Sequence, residues 1–264
     1  MNKVLKIGGW VVFIASTFVL LGFADVNYDN IKSEEVLVEI EKPGGHEFVT
    51  EENVKLLLND LGYSFKGQSL GEIELNRIES ELLEVSGVKK VEAYKFNNGQ
   101  VKIEIEQQLP IARIVLADGQ MGCYLDIEGE VIPLSNNYVA KVPVFTGAIH
   151  EPYTDIPSAK ELLANDSIAQ YHIIDEIYLV AKEIVEDEFL MAQIVQVYVN
   201  NKQEFELIPR VGNHRILLGG VEDLSSKMDR LKAFYTSDGL NIKEYNLYDT
   251  LNLKYKDQLV CSKR

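Results

Sequence analysis

The sequence predicts an α+β protein with a single N-terminal transmembrane helix, a β-α-α-β-β domain, and a mixed strand-rich domain with two or three helices. Three observations support this prediction. An uncharged apolar run occupies residues 7–24. Two amphipathic helical patterns and a hairpin signal follow within 35–108. From 109 to 264, short β runs separated by turn residues dominate the chain.

The apolar run at the N-terminus predicts a membrane anchor. It has the sequence IGGWVVFIASTFVLLGFA, with 18 residues and no charge. A helix of this length reaches roughly 27 Å, close to the hydrocarbon thickness of a bilayer. Lys3 and Lys6 precede it and acidic residues follow, so residues 1–6 are expected in the cytoplasm and the remainder outside. A cleaved signal peptide is the alternative, because Gly22 and Ala24 provide small residues for a cleavage site.

The segment 35–108 begins with a β run at 36–40 and continues with two helices. Thr50 is placed to cap the first helix, and Gly62 to end it. The second helix is predicted to stop at Gly87, after apolar residues at three- and four-residue spacing: Leu75, Ile78, Leu82 and Val85.

A β-hairpin ends this segment. Asn98-Gly99 supplies the positive φ angles of a tight turn between strands at 91–96 and 101–106. The second strand alternates strictly, so that Val101, Ile103 and Ile105 are predicted to face a core covered by the two helices.

Many short strands characterise residues 109–264. Helices are predicted at 159–169 and 223–237. Strands are predicted at 111–116, 123–126, 131–133, 173–181, 194–199, 205–208, 216–218, 250–255 and 258–263. Because the final strand ends at the chain terminus, one of its sides is expected to remain unpaired.

Composition excludes several classes of function. With 26 basic and 41 acidic residues, the formal charge is −15, so nucleic acid and anionic lipid surfaces are unfavourable partners. Nucleophile elbows, phosphate-binding loops and zinc-protease motifs are absent from the sequence. We therefore expect no enzyme activity, no cofactor, no metal and no small-molecule substrate.

Two isolated features need a separate interpretation. The only cysteines, Cys123 and Cys261, are interpreted as semi-buried strand thiols, although they would be able to pair if the fold brought them together in an oxidising compartment. The segment HIIDE at 172–176 places an imidazole near carboxylates, and we interpret it as a polar turn leading from a helix into a strand.

Taken together, the order of these segments resembles the FtsQ/DivIB family of bacterial cell-division proteins, which have a POTRA domain and a β domain. The matching stretches are GVKKVEA at 87–93, PIA at 110–112, YLD at 124–126, VPVFTG at 142–147 and LNLKY at 251–255. Three sites depart from the family pattern: QQL at 107–109, KF at 95–96, and Asn252 in place of the usual Asp.

The resemblance implies a non-enzymatic divisome scaffold in the cytoplasmic (inner) membrane at the division septum. It implies FtsB/FtsL-like coiled-coil partners, with the last β-strand accepting a strand from the FtsB-like protein. Carried onto this sequence, the partner-binding residues are Leu259, Val260, Cys261, Ser262 and Lys263, flanked by Tyr255 and Tyr235. The alternative function is that of a POTRA-bearing exported chaperone or secretion accessory protein.

Overall fold

The computed structural model describes residues 8–19, 31–117, 122–135, 138–151, 156–237 and 245–264. A helix, α1, covers 8–19 within the predicted anchor, whereas residues 7 and 20–24 of that prediction lie outside the described residues. Among the residues described, no helix combines the length and the apolar character that crossing a bilayer requires. The chain divides into two compact units, Met1–Gln107 and Gln108–Arg264.

The first unit has the predicted β-α-α-β-β order. Its elements are β1 (Glu35–Glu41), α2 (Glu51–Asp60), α3 (Leu75–Leu83), β2 (Val88–Lys95) and β3 (Gln100–Gln107). The three strands form a sheet in the order β1-β3-β2, with β1 parallel and β2 antiparallel to β3.

Local sequence explains this unit well. The Thr50 hydroxyl accepts the Asn53 N–H at 3.2 Å and caps α2, as predicted. Val101, Ile103 and Ile105 are buried along one side of β3, which confirms the alternation. At the hairpin turn, Gly99 has a φ of +88°, whereas Asn98 lacks the positive φ that was predicted for it. A Cβ on Gly99 would lie 2.5 Å from the Lys32 carbonyl oxygen. Only glycine meets both requirements without displacing the backbone.

The second unit is built on one mixed sheet of nine strands. Its strands are β4 (Pro110–Ile114), β5 (Cys123–Asp126), β6 (Val131–Pro133), β7 (Val144–Gly147), β8 (Ile194–Val199), β9 (Phe205–Pro209), β10 (Arg215–Gly219), β11 (Tyr248–Asn252) and β12 (Val260–Lys263). They lie in the order β12-β11-β10-β9-β8-β7-β4-β5-β6. Its helices are α4 (Ala159–Leu163), α5 (Asp166–Ala169), α6 (Ile174–Glu186), α7 (Glu188–Gln193) and α8 (Leu224–Thr236). Buried side chains of the sheet, α6 and α8 belong to one hydrophobic core.

One predicted strand is a helix. The segment 173–181 was expected to be β, but α6 runs from Ile174 to Glu186. Isoleucine and valine favour strands locally, whereas burial in α6 follows the helical period, with every third or fourth side chain in the core: Ile174, Ile177, Tyr178, Val180, Ala181 and Ile184. Tertiary packing therefore overrides the β propensity of this segment.

The other helical predictions also change in detail. The helix expected at 159–169 consists of α4 and α5, because the Asn165 side chain accepts the Ser167 N–H and starts a second helix. Helix α7 was not predicted; it begins where Asp187 Oδ1 caps the N–H groups of Phe189 and Leu190. The second unit thus has five described helices instead of the two or three expected.

Candidate partner-binding edge

The C-terminal strand β12 lies at one end of the nine-stranded sheet. A turn at Lys256-Asp257, where Asp257 has a φ of +56°, reverses the chain after β11. The two strands are antiparallel, with Leu251 opposite Cys261 and Asn252 opposite Val260. Among the described strands, β11 is the only neighbour of β12. We call this strand, with its unpaired side, the open edge.

A hydrogen bond at the end of β12 shows to which side each residue of the strand points its N–H and C=O groups. The Arg264 N–H donates to the Leu247 carbonyl at 3.1 Å, toward β11. Because successive residues of an antiparallel strand point their backbone groups to opposite sides, Ser262 and Val260 also point toward β11. Cys261 and Lys263 therefore direct their N–H and C=O groups to the open edge.

Side chains of the open edge divide between two faces. Cys261 lies opposite Leu251, which is fully buried, and Lys263 lies opposite Tyr248, which packs on the core. Leu259 also packs against the core, so Leu259, Cys261 and Lys263 share the core side of the sheet. Val260 and Ser262 point to the other side. All four residues of β12 are exposed, which leaves both faces accessible.

Helix α8 lies beside the β11–β12 hairpin. Arg230 Nη1 lies 3.4 Å from the Tyr255 carbonyl oxygen, and the Phe234 ring meets the Tyr248 ring edge-on at 5.4 Å between centroids. Tyr255 itself is 51% exposed and lies in the segment that connects β11 to β12.

Tyr235 does not flank the open edge as predicted. Only 6% of it is exposed, and its hydroxyl lies 2.6 Å from His214 Nε2 inside the unit. Burial raises the pKa of Tyr235 to about 12. Its aromatic ring packs against neighbouring rings, those of Phe189, Phe234 and Tyr245. The apolar stripe of α8 points this side chain into the core, so Tyr235 supports the fold and is not available to a partner.

The opposite end of the sheet is less suited to pairing with another strand. There β6 has three residues, and the Asp126 N–H donates to the Glu130 carbonyl at 3.0 Å. By the same alternation, Val131 and Pro133 point away from β5. Proline has no N–H, so this edge lacks one of its two outward donors.

The two thiols are both free. Cys123 is buried in β5, where burial and the nearby Glu151 carboxylate raise its pKa to about 12. Cys261 is exposed on the open edge, and partial burial raises its pKa. Cys123 is more deeply buried and Cys261 more exposed than the expected semi-buried strand thiols.

The imidazole of His172 does meet a carboxylate, but not one in the segment 172–176. Glu151, from the loop after β7, has its Oε2 atom 2.5 Å from His172 Nδ1 and accepts the Ile173 N–H at 2.9 Å through Oε1. These contacts hold the start of α6, so the segment begins a helix and does not lead into a strand. The role of Glu151 was not predicted, because its partners lie more than twenty residues away in the chain. Within the described ranges, no cluster of His, Cys, Asp and Glu could hold a metal ion.

Two family models match the chain. The model described as FtsQ/DivIB, C-terminal related, matches residues 109–262, which is more than half of the chain. A POTRA-like domain model matches residues 32–106. A search among curated proteins finds no match.

Proposed function

The chain belongs to the FtsQ/DivIB family of cell-division proteins, and on this basis we propose that it is a non-enzymatic scaffold of the divisome. In this proposal it binds FtsB/FtsL-like coiled-coil partners and helps to assemble and regulate septal wall synthesis. A scaffold acts by holding several partners on one chain, which raises the local concentration of each partner near the others.

The observation that carries the proposal is the open edge. Cys261 and Lys263 direct backbone donors and acceptors away from β11, and their side chains are exposed. A partner segment in extended conformation would continue the sheet by pairing with these groups, and its alternate side chains would contact the two faces. Leu259, Val260 and Ser262 would line the same strand, and Tyr255 would flank it.

The same proposal includes a single-pass anchor in the inner membrane, with residues 1–6 in the cytoplasm and the bulk of the chain outside. It is supported by the uncharged run at 7–24 and by Lys3 and Lys6 before it. We propose a POTRA-like domain at 35–108, for recruitment to the septum, and a β domain at 109–264, for the coiled-coil partners.

A fluorescent fusion tests the location. A band at midcell supports the divisome scaffold. Uniform envelope staining in dividing cells contradicts it and favours the exported chaperone or secretion accessory.

A pair of substitutions at one position tests the edge. Cys261→Pro removes an N–H that points away from β11, a position at which an edge strand tolerates proline. Cys261→Val keeps the N–H and is the matched control. We expect the full-length Cys261→Pro protein to fold, with Cys123 still protected from alkylation, and to lose capture of the FtsB-like partner. The valine variant should capture it normally. Normal capture by the folded proline variant would reject strand addition at β12.

A further inference from the structure

The last twelve residues carry a net charge of opposite sign to that of the rest of the protein. Residues 253–264 contain four basic residues and one acidic residue, a net charge of +3. The other 252 residues contain 22 basic and 40 acidic residues, a net charge of −18. The basic residues are Lys254, Lys256, Lys263 and Arg264, and all of them are exposed around the β11–β12 hairpin. A local field of opposite sign selects partners by charge.

Among the described residues, three cations beside the open edge have no acidic partner. Lys254 is neutralised by Glu204, whose carboxylate lies 2.5 Å from its ammonium group. Within the described part of the chain, neither Lys256 nor Lys263 forms an ion pair. On α8, Arg230 contacts the Tyr255 carbonyl at 3.4 Å and forms no ion pair with a residue that the structure describes. Arg230 is half-buried and positively charged, so an incoming carboxylate would pair with it favourably.

We propose that the open edge recognises an acidic extended segment of the partner. This inference rests on the proposed function and specifies the chemistry of the strand that β12 accepts. The backbone of the segment pairs with Cys261 and Lys263. Its carboxylates on the core side face Lys263 and Arg230, and a carboxylate beyond the end of the pairing meets Lys256.

The two faces of the edge require different side chains. On the core side, Leu259 and Cys261 offer apolar contact, so the segment alternates apolar residues with acidic ones there. On the other side, Val260 and Ser262 offer no charge, so small or β-branched residues fit. A basic segment would place like charges together on the core side, and the edge would exclude it.

Charge reversal in the full-length protein tests the proposal. The edge variant is Lys256→Glu with Lys263→Glu. The matched control is Lys160→Glu with Lys202→Glu, which changes two exposed lysines elsewhere on the second unit and gives the same net charge. The probe is the FtsB-like partner, used as the natural protein and as a form with its acidic residues changed to amides. Affinity is measured at about 50 mM and about 500 mM salt, where screening differs strongly.

We expect the edge variant to bind the natural partner roughly tenfold more weakly at low salt, as expected for two exposed charge pairs that become repulsive. The control should bind within about twofold of the parent protein. At high salt the edge variant and the parent should converge, and the amide form of the partner should bind both equally. Equal weakening in the edge variant and the control would overturn the proposal, because net charge alone would then explain the effect.

Alkylation of Cys261 shows where the partner sits. The partner should slow maleimide labelling of Cys261 in the parent protein, while buried Cys123 remains unlabelled in all samples. Protection of Cys261 without added partner, at rising protein concentration, would assign the edge to a second copy of the chain and overturn the proposal.

If Cys261→Pro fails to reduce capture, the proposed function itself is wrong. If Cys261→Pro abolishes capture while charge reversal has no effect, only the acidic specificity is wrong.

Discussion

Replacement of Glu151 should show how much one buried carboxylate contributes to the second unit. Its side chain is 2% exposed, and its two oxygens contact the Ile173 N–H at 2.9 Å and His172 Nδ1 at 2.5 Å. Glu151→Ala removes a hydrogen bond to a charged acceptor, worth about 1.5–3 kcal/mol, and leaves the Ile173 N–H buried without a partner. The full loss should reach about 3 kcal/mol, because the buried Ile173 N–H loses its acceptor as well as the hydrogen bond.

Glu151→Gln keeps the size and shape of the side chain but removes its negative charge. The amide oxygen still accepts the Ile173 N–H, so the variant loses only the negative charge of the acceptor, and we expect a loss of about 1–2 kcal/mol. The free energy of unfolding can be followed by urea-dependent alkylation of Cys123, which is 3% exposed and lies in the same unit. The parent protein and both variants carry Cys261→Ser, so that Cys123 is the single thiol that can be alkylated. A loss below about 1 kcal/mol for the alanine variant, or equal losses for both variants, would refute this account.

Two further predictions concern the backbone and pH. Gly147 has a φ of +110°, and a Cβ there would lie 2.1 Å from the Val199 carbonyl oxygen, so Gly147→Ala should unfold the second unit at a urea concentration well below that of the parent. Gly45→Ala, with a φ of +73° but open space around it, should cost only about 1 kcal/mol. Burial lowers the pKa of His214 and His46 from 6.5, so the unfolded chain binds more protons as the pH falls. The free energy of unfolding should therefore stay constant above about pH 6.5 and decrease below it. In urea titrations at several pH values, His214→Gln should make this decrease less steep. An equally steep decrease in the variant would contradict the role of His214.

The first unit was largely predictable because its information is local. Capping by Thr50, the Asn98-Gly99 turn and the alternation along β3 each depend on residues within one element or one hairpin. In this unit, contacts between distant segments do not override these local signals, so the helices and strands occur in the predicted order. The parallel pairing of β1 with β3 was not predicted, because it joins residues more than sixty positions apart.

The second unit shows the limit of local reasoning. The segment IIDEIYLVA was predicted as a strand from its β-branched residues, yet it lies in α6, where burial on a helical face outweighs propensity. Similarly, α8 was predicted correctly, but Tyr235 was assigned to the partner surface from the family resemblance, although it lies on the apolar stripe of the helix and is buried. Glu151 gave no signal, because its role depends on the distance to His172 in space.

The sequence by itself determined the family, the α+β class, and a C-terminal strand with a reversed local charge. Tertiary structure alone decided that β12 has β11 as its single neighbour among the described strands, that Cys261 and Lys263 point their backbone groups outward, and that Arg230 lies beside the hairpin. The physical reason is that composition and periodicity act within short windows, whereas sheet order is set by contacts between segments far apart in the chain.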